Sequence, residues 1–449
     1  MSKRPNVVFV FADQWRQQAT GYAGDPNVKT PHLDALSTVS LDFTHAVSGC
    51  PVCSPYRACI LTGQRPLTHG VFVNDVYLQP RATSIAQAFS AAGYDTAYIG
   101  KWHVDGHGRS NYIPPERRLG FAYWKVLECT HDYNHSAYYA GVSRRKLHWR
   151  GYDAHAQTLD AAAYIRTHRK DFPFFLTLSW GPPHDPYHTA PEEFRRLYHP
   201  DSIVLRPNVP ADMAAQARTW LAGYYAHCSA LDACVGTLLA AIRARGIEDN
   251  TVFVFTSDHG DMLGSHGQAN KQRPWDESIR VPFLLSYPGL PGWHPGKTDA
   301  LIDGPDIMPT LLGLCGVPIP DSCEGLDFSR HIAGDADPSD GSALVMSLQP
   351  FGQWTAARHG GKEYRGLRTQ RHTYVADRKG PWLLYDNETD PYQLRNLVHD
   401  ATFSAIRTTL DECLRRKLDR CGDEFLPGSD YLDKWGYRVD ETGTVPYTG

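Results

Sequence analysis

The 449-residue chain is 42% hydrophobic and 12% aromatic, enough for a large buried core and, by length, for two or three domains. Its 45 Lys and Arg nearly balance 49 Asp and Glu, giving a formal net charge of −4. That balance argues against nucleic acid as a partner, so any anion has to be held by a local cluster of cations. No apolar run approaches the roughly 18 residues of a membrane span, and Met1-Ser-Lys-Arg-Pro leads into an apolar strand with no room for the core of a signal peptide. The expectation is a cytoplasmic protein with no membrane partner, its ten cysteines mostly reduced.

In chain order, Asn6–Ala12 reads as a buried strand that ends at Asp13-Gln14. Ser84–Ala92 reads as a helix closed by Gly93, and Asp95–Ile99 as a strand running into Gly100-Lys101-Trp102-His103. Thr158–Lys170 suits a helix, Phe174–Ser179 a strand that leads to Pro182-Pro183-His184, and Ala211–Ala244 a long helix ending at Arg245-Gly246. Thr251–Ser257 is a strand entering Asp258-His259, and Val281–Tyr287 a fifth apolar run. Continuous rather than alternating apolarity marks strands buried on both faces, as in parallel sheets. Alternation with helices predicts an α/β fold, a large central mixed but mostly parallel sheet flanked by helices. Four of the five runs end in Asp, Lys or His. Ligands of such sheets bind beyond the carboxyl ends of the strands, so these endings predict one shared site.

Past residue 340 the texture changes. Gly334–Gly341 reads as a linker or exposed loop, followed by strands at Ala343–Leu348, Tyr364–Arg368 and His372–Ala376 and a helix at Thr402–Cys421. The predicted division is a catalytic domain over 1–340 and a smaller α+β subdomain over 341–449, with Gly422–Gly449 wrapping the surface.

The segment Gly49-Cys50-Pro51-Val52-Cys53-Ser54-Pro55-Tyr56-Arg57-Ala58-Cys59-Ile60-Leu61-Thr62-Gly63 carries the most information. Pro55 suits the first turn of a helix, which puts Cys53 at a helix N-terminus, where free N–H groups and the dipole favour an anion. Arg57 lies one helical turn on, so its fixed charge faces the same centre. Cys50-x-x-Cys53 also fits a redox pair or half of a zinc site, but Cys228/Cys234, Cys315/Cys323 and Cys413/Cys421 supply no second Cys-x-x-Cys.

The Cys53-x-Pro55-x-Arg57 core with Leu61-Thr62-Gly63 resembles the type-I sulfatases of the alkaline phosphatase superfamily. Ala92–Thr96 through Gly100–His103, Thr30–Asp34, Asp306–Leu311 and Leu384–Asp386 with Asn396-Leu397 extend that resemblance over nearly the whole chain. It implies an alkaline phosphatase-like fold and a formylglycine made from Cys53 by a formylglycine-generating enzyme. It further implies a divalent cation, Ca²⁺ or alternatively Mn²⁺, held by Asp13, Gln14, modified Cys53, Asp258 and His259. Many relatives have two adjacent Asp residues where this chain has Asp13-Gln14, so the site carries less formal negative charge, and some have Asn where this chain has His259.

By the same resemblance Arg57, Lys101 and Lys271 stabilise the sulfuryl oxygens, and Asp258 takes a proton from the attacking hydroxyl. His184 with Lys271 protonates the leaving alcohol, and His103 drives sulfate elimination. The expected substrate is a small sulfated molecule, preferably a sugar, for which the aromatic-rich stretch His107–Trp149 is either a candidate wall or in part core. Two rivals stay open. One is a phosphonate monoester or phosphodiester hydrolase on this scaffold, suggested by Asp13-Gln14-Trp15-Arg16. The other is a silent sulfoconjugate-binding protein with Cys53 unmodified. The oligomeric state is left open.

Overall fold

The computed structural model describes residues 4–169 and 171–446. Ten strands form the main sheet: β1 (Asn6–Asp13), β2 (Leu41–Phe43), β3 (Asp95–Lys101), β4 (Tyr123–Leu127), β5 (Ala137–Ala140), β6 (Leu147–His148), β7 (Phe174–Pro183), β8 (Thr251–Ser257), β9 (Phe283–Ser286) and β10 (Gly296–Thr298), in the order β10-β2-β9-β8-β1-β7-β3-β4-β5-β6. The stretch β8-β1-β7-β3-β4 is parallel throughout. Every residue of β1, β7 and β8 is buried, the physical reason for their unbroken apolar sequences. The pleat of β1 sends Val7, Phe9 and Phe11 into one core and Val8, Val10 and Ala12 into another.

Several sequence expectations shift. The fifth run is the shorter strand β9, and it pairs antiparallel with both β8 and β2. The helix expected at Thr158–Lys170 runs from Asp153 to Thr167, and Lys170 lies outside the described residues. The long helix is Ala214–Arg245, preceded by a 3₁₀ turn at Ala211–Met213 and closed by left-handed Gly246. Contrary to the expectation, this region is long and apolar enough to cross a membrane; most of it is buried, packed on the Asp153–Thr167 helix and β7, as a core helix is.

The second sheet is an antiparallel meander of β11 (Ser342–Ser347), β12 (Tyr364–Thr369), β13 (His372–Asp377) and β14 (Gly380–Asp386). The sequence reading omits β14, whose Gly380-Pro381 opening looks like a turn. The helix Ser404–Arg420 packs on β12 and β13. Leu344, Leu367, Tyr374 and Leu414 join the same core as Phe9 and Phe11, so this sheet is seated on the main one. The tail does more than wrap the surface: the helix Gly428–Trp435 buries Tyr431 and Leu432. A Cβ at Gly70, where φ is +80°, would lie 2.3 Å from the Trp435 ring, so a glycine there admits that indole.

Candidate active site

The register of the central strands assembles the site. Ala12 pairs with Ser257, so Asp13 and Asp258 emerge side by side; Asp13 also faces Pro183, one residue before His184. Lys101 ends β3 on the other side of β7. Cys53 opens the helix Cys53–Thr62, every residue of which is buried. Its first turn is capped from outside, the Ser54 N–H donating to Asn74 Oδ1 at 3.0 Å.

Arg57, 1% exposed, donates to Asp13 Oδ2 at 3.0 Å and to Asp258 Oδ2 at 3.1 Å, and through its other nitrogen to the Lys101 carbonyl and Ser179 Oγ. It therefore sits behind the two carboxylates rather than in the cleft. Lys101 Nζ donates to Asp13 Oδ2 at 2.6 Å. Lys271 Nζ lies 3.1 Å from Cys53 Sγ, 3.0 Å from Gln14 Oε1 and 2.7 Å from His184 Nε2. Lys271, which the family resemblance assigns to the site although a loop lysine is ordinarily a solvated charge, is thus buried at the centre.

Asp13, Cys53, Asp258 and His259 converge, their ligand atoms all within 4.8 Å of one another. His259 Nε2 is 3.2 Å from Cys53 Sγ and 3.6 Å from an oxygen of each Asp, and Cys53 Sγ is 3.5 Å from Asp13 Oδ1. Neighbouring donors on a hard cation with bonds of 2.3–2.6 Å stand about 3.3–3.7 Å apart at right angles. The cluster therefore fits a divalent ion. His259 Nδ1 faces the Gly260 carbonyl at 2.9 Å, to which it can only donate, leaving the Nε2 lone pair toward the centre. The Gln14 amide oxygen accepts from Lys271, and its Nε2 donates to Asp261 Oδ2 at 2.7 Å.

The electrostatics follow from burial opposed by charge. Burial alone would raise the Asp13 carboxyl, but Lys101, His184, Arg57 and Lys271 hold it well below the usual range. Asp258 is raised by burial and by Asp13 beside it. Burial and Lys271 drive His184 well down, so its ring is neutral. Its Nδ1 donates to the Asp185 carbonyl and its Nε2 accepts from Lys271. Burial and Asp13 push the Cys53 thiol up, yet Lys101, Lys271 and His259 outweigh them and lower it. The backbone at Gln14, Asp75, His103, Asn270 and Gln272 has φ between 59° and 75°, a left-handed clustering paid for elsewhere in the fold.

His103 Nε2 bonds to Asp75 Oδ1 at 3.1 Å, and Asp75 also receives two bonds from Arg109. Burial works against the His103 proton, but Cys129 and the Asp75 bond raise its affinity well above the ordinary value. With Asn74 and His131, these residues line a cleft of ≈ 260 Å³ above Cys53. Sequence reasoning missed Asp75, Asn74 and Asp261, which lie in no motif; Arg109 and His131 fall inside the flagged stretch His107–Trp149. Much of that stretch, including Trp124, Tyr133 and Tyr139, is core, the second of the two readings given for it.

The family model for sulfatases matches residues 5–317, and that for the C-terminal part of N-sulphoglucosamine sulphohydrolase matches 264–420. The chain belongs to the sulfatase family. Over 448 residues this sulfatase is 46% identical to an ulvan-active sulfatase of Formosa agariphila, covering 99% of this chain and 87% of that protein. The crystal structure of YidJ from Bacteroides fragilis superposes on it with a TM-score of 0.85 at 29% identity, over 96% of this chain and 99% of that one. A phosphonate monoester hydrolase of Agrobacterium radiobacter is a more distant neighbour, with a TM-score of 0.75 at 25% identity over 99% and 100% of the two chains. The expected superfamily, fold and sulfuric ester hydrolase class therefore stand.

Proposed function

We propose that this sulfatase hydrolyses the sulfate ester of a carbohydrate, using a formylglycine made from Cys53 by a formylglycine-generating enzyme and a divalent cation, Ca²⁺ in preference to Mn²⁺. The observation that carries the reading is the convergence of Asp13, Cys53, Asp258 and His259 at the foot of a cationic cleft. The ulvan-active relative supports a carbohydrate as the substrate class.

Hydrated, the modified side chain would supply one hydroxyl to attack sulfur and a second to expel sulfate, while the cation would polarise the sulfuryl oxygens. Asp13, Asp258 and His259 would hold that cation, with the Gln14 amide oxygen beside them. Carboxylate donors favour Ca²⁺; the single imidazole is what leaves Mn²⁺ in contention. Lys101 and Lys271 place fixed positive charge on the cleft side of the nucleophile. Arg57, from behind, keeps both carboxylates ionised and oriented. Asp258, raised and adjacent, is the group to accept the nucleophile's proton. Lys271, held at 2.7 Å by the neutral His184 imidazole, protonates the leaving oxygen together with it. His103, fixed by Asp75, serves sulfate release. Residues 1–340 would carry the chemistry, and 341–449 would brace it.

The test is mass spectrometry of the Cys53 peptide alongside turnover of paired sulfate and phosphonate esters. Specific activity on sulfate esters should rise in proportion to the aldehyde fraction when a formylglycine-generating enzyme is coexpressed. Equal rates from fully unmodified protein would refute the formylglycine, and preference for the phosphonate would move the enzyme to the rival class.

A further inference from the structure

A second, larger cavity of ≈ 710 Å³ opens beside the catalytic cleft, and Asp185, Asn270 and Gln353 belong to the walls of both. Its far wall is one face of the helix Ala214–Arg245, where Gln216, Thr219, Trp220 and Gly223 recur at helical spacing. A Cβ on Gly223 would come 2.5 Å from the Tyr187 carbonyl oxygen, so this glycine is what lets the Tyr187 segment lie directly on the helix.

The groove is mechanically joined to the site. The Tyr187 hydroxyl donates to Asp261 Oδ2 at 2.5 Å, the same oxygen that accepts from Gln14 Nε2 at 2.7 Å. The backbone from His184 to Tyr187 passes from the cleft into the groove without a break.

Pockets for drug-sized ligands run from about 300 to 1,000 Å³. The cleft, at ≈ 260 Å³, is sized for one ring and its sulfate, whereas the groove has room for further units of the same ligand. Trp220 is half-buried in the helix and lines the groove, offering an apolar aromatic surface whose position is fixed by its anchoring. Asp185, Asn270 and Gln353 supply polar groups at the junction, where hydroxyls of a bound sugar would pass.

We propose that the groove binds the sugar unit next to the one bearing the scissile sulfate, with Trp220 as its platform, so that the enzyme is built for an oligosaccharide chain. The proposal rests on the carbohydrate reading above. It departs from the small sugar sulfate expected from sequence.

The experiment compares kcat/KM on tetrasaccharides cut from ulvan and from chondroitin sulfate with kcat/KM on the matching sulfated monosaccharides, with an aryl sulfate as a third substrate. The wild type should favour a tetrasaccharide by at least about tenfold, and Trp220→Ala should remove most of that ratio. Thr219→Arg, an exposed change that narrows the groove without emptying a packed position, should do the same, while Trp220→Phe should retain it. Equal efficiency on the two lengths in the wild type, or a ratio unmoved by both Trp220→Ala and Thr219→Arg, would overturn the groove assignment. An enzyme that cleaves the aryl sulfate but no sugar sulfate of either length would instead overturn the carbohydrate reading, and the groove assignment with it.

Discussion

The protein buries charge in two places and treats it in opposite ways. On opposite faces of β12, Arg368 meets Asp276 through two parallel bonds of 2.9 and 3.0 Å, and Arg365 grips Asp423 with Nε and Nη2. Each of these guanidinium groups meets its carboxylate through two nitrogens, and Asp276 takes a further bond from Arg280. At the strand ends, by contrast, Arg57, Lys101 and Lys271 crowd around Asp13 and Asp258, and Asp13 alone takes bonds from both Arg57 and Lys101. Three fixed cations share two carboxylates, and one of them, Lys271, spends its bonds on a thiol, an amide and an imidazole. The bidentate pairs fasten the second sheet to the helix turn at Asp276 and to the C-terminal segment at Asp423. An open, shared network keeps positive charge available for an anion and keeps donor atoms spaced for a cation.

The sharpest way to break the open network is Asp258→Asn. It removes a carboxylate from both the ligand cluster and proton transfer, so kcat/KM should fall by about 10³-fold or more. The cation bound per chain, read by elemental analysis, should fall too. The thermal unfolding midpoint of the cation-free protein should stay near that of the parent; unchanged turnover would remove Asp258 from the chemistry.

The closed pair should answer in stability. Arg368→Met leaves Asp276 buried beside only Arg280, and denaturant unfolding should show a loss of about 3–5 kcal/mol. The double variant Asp276→Asn with Arg368→Met should recover a large part of it. A single variant as stable as the parent would show that this pair does not fasten the second sheet in place.

His184→Ala tests how the open network moves a proton. Esters with poor leaving groups should slow by about 10²-fold or more, activated aryl sulfates much less. Equal slowing of both would contradict protonation of the leaving oxygen.

The smallest expected effect is one of pH. Burial alone would raise the Asp276 carboxyl, but Arg368 and Arg280 lower it from an ordinary 3.8 to about 2. A depressed carboxylate adds stability that is present above its unfolded value and lost as pH falls through its folded one. The window is therefore about pH 4 down to 2, and the contribution roughly 2 kcal/mol. In Arg368→Met the acid limb of the stability profile should flatten over that window; an identical limb would assign the acid sensitivity elsewhere.

Much of the site is legible in sequence because strand ends announce themselves. Asp13, Lys101 with His103, His184 and Asp258-His259 each follow an apolar run, and a parallel sheet gathers its carboxyl ends along one edge. Cys53 and Arg57 are readable because helical periodicity fixes their relation within a single turn. Asp75 and Asp261 are not: each lies in a loop, and their value comes from partners 28 and 247 residues away in the chain, His103 and Gln14.

By itself, then, the sequence determined the α/β layering and most of the residues that converge on Cys53, because burial, periodicity and turn chemistry act locally. Tertiary structure alone decided the antiparallel placement of β9, the burial of Lys271 and the retreat of Arg57 behind the carboxylates. It also decided the groove along Trp220, in whose wall the Tyr187 segment lies against the bare backbone of Gly223. Each of these depends on which distant surfaces meet, and no local pattern of apolar and polar residues encodes that choice.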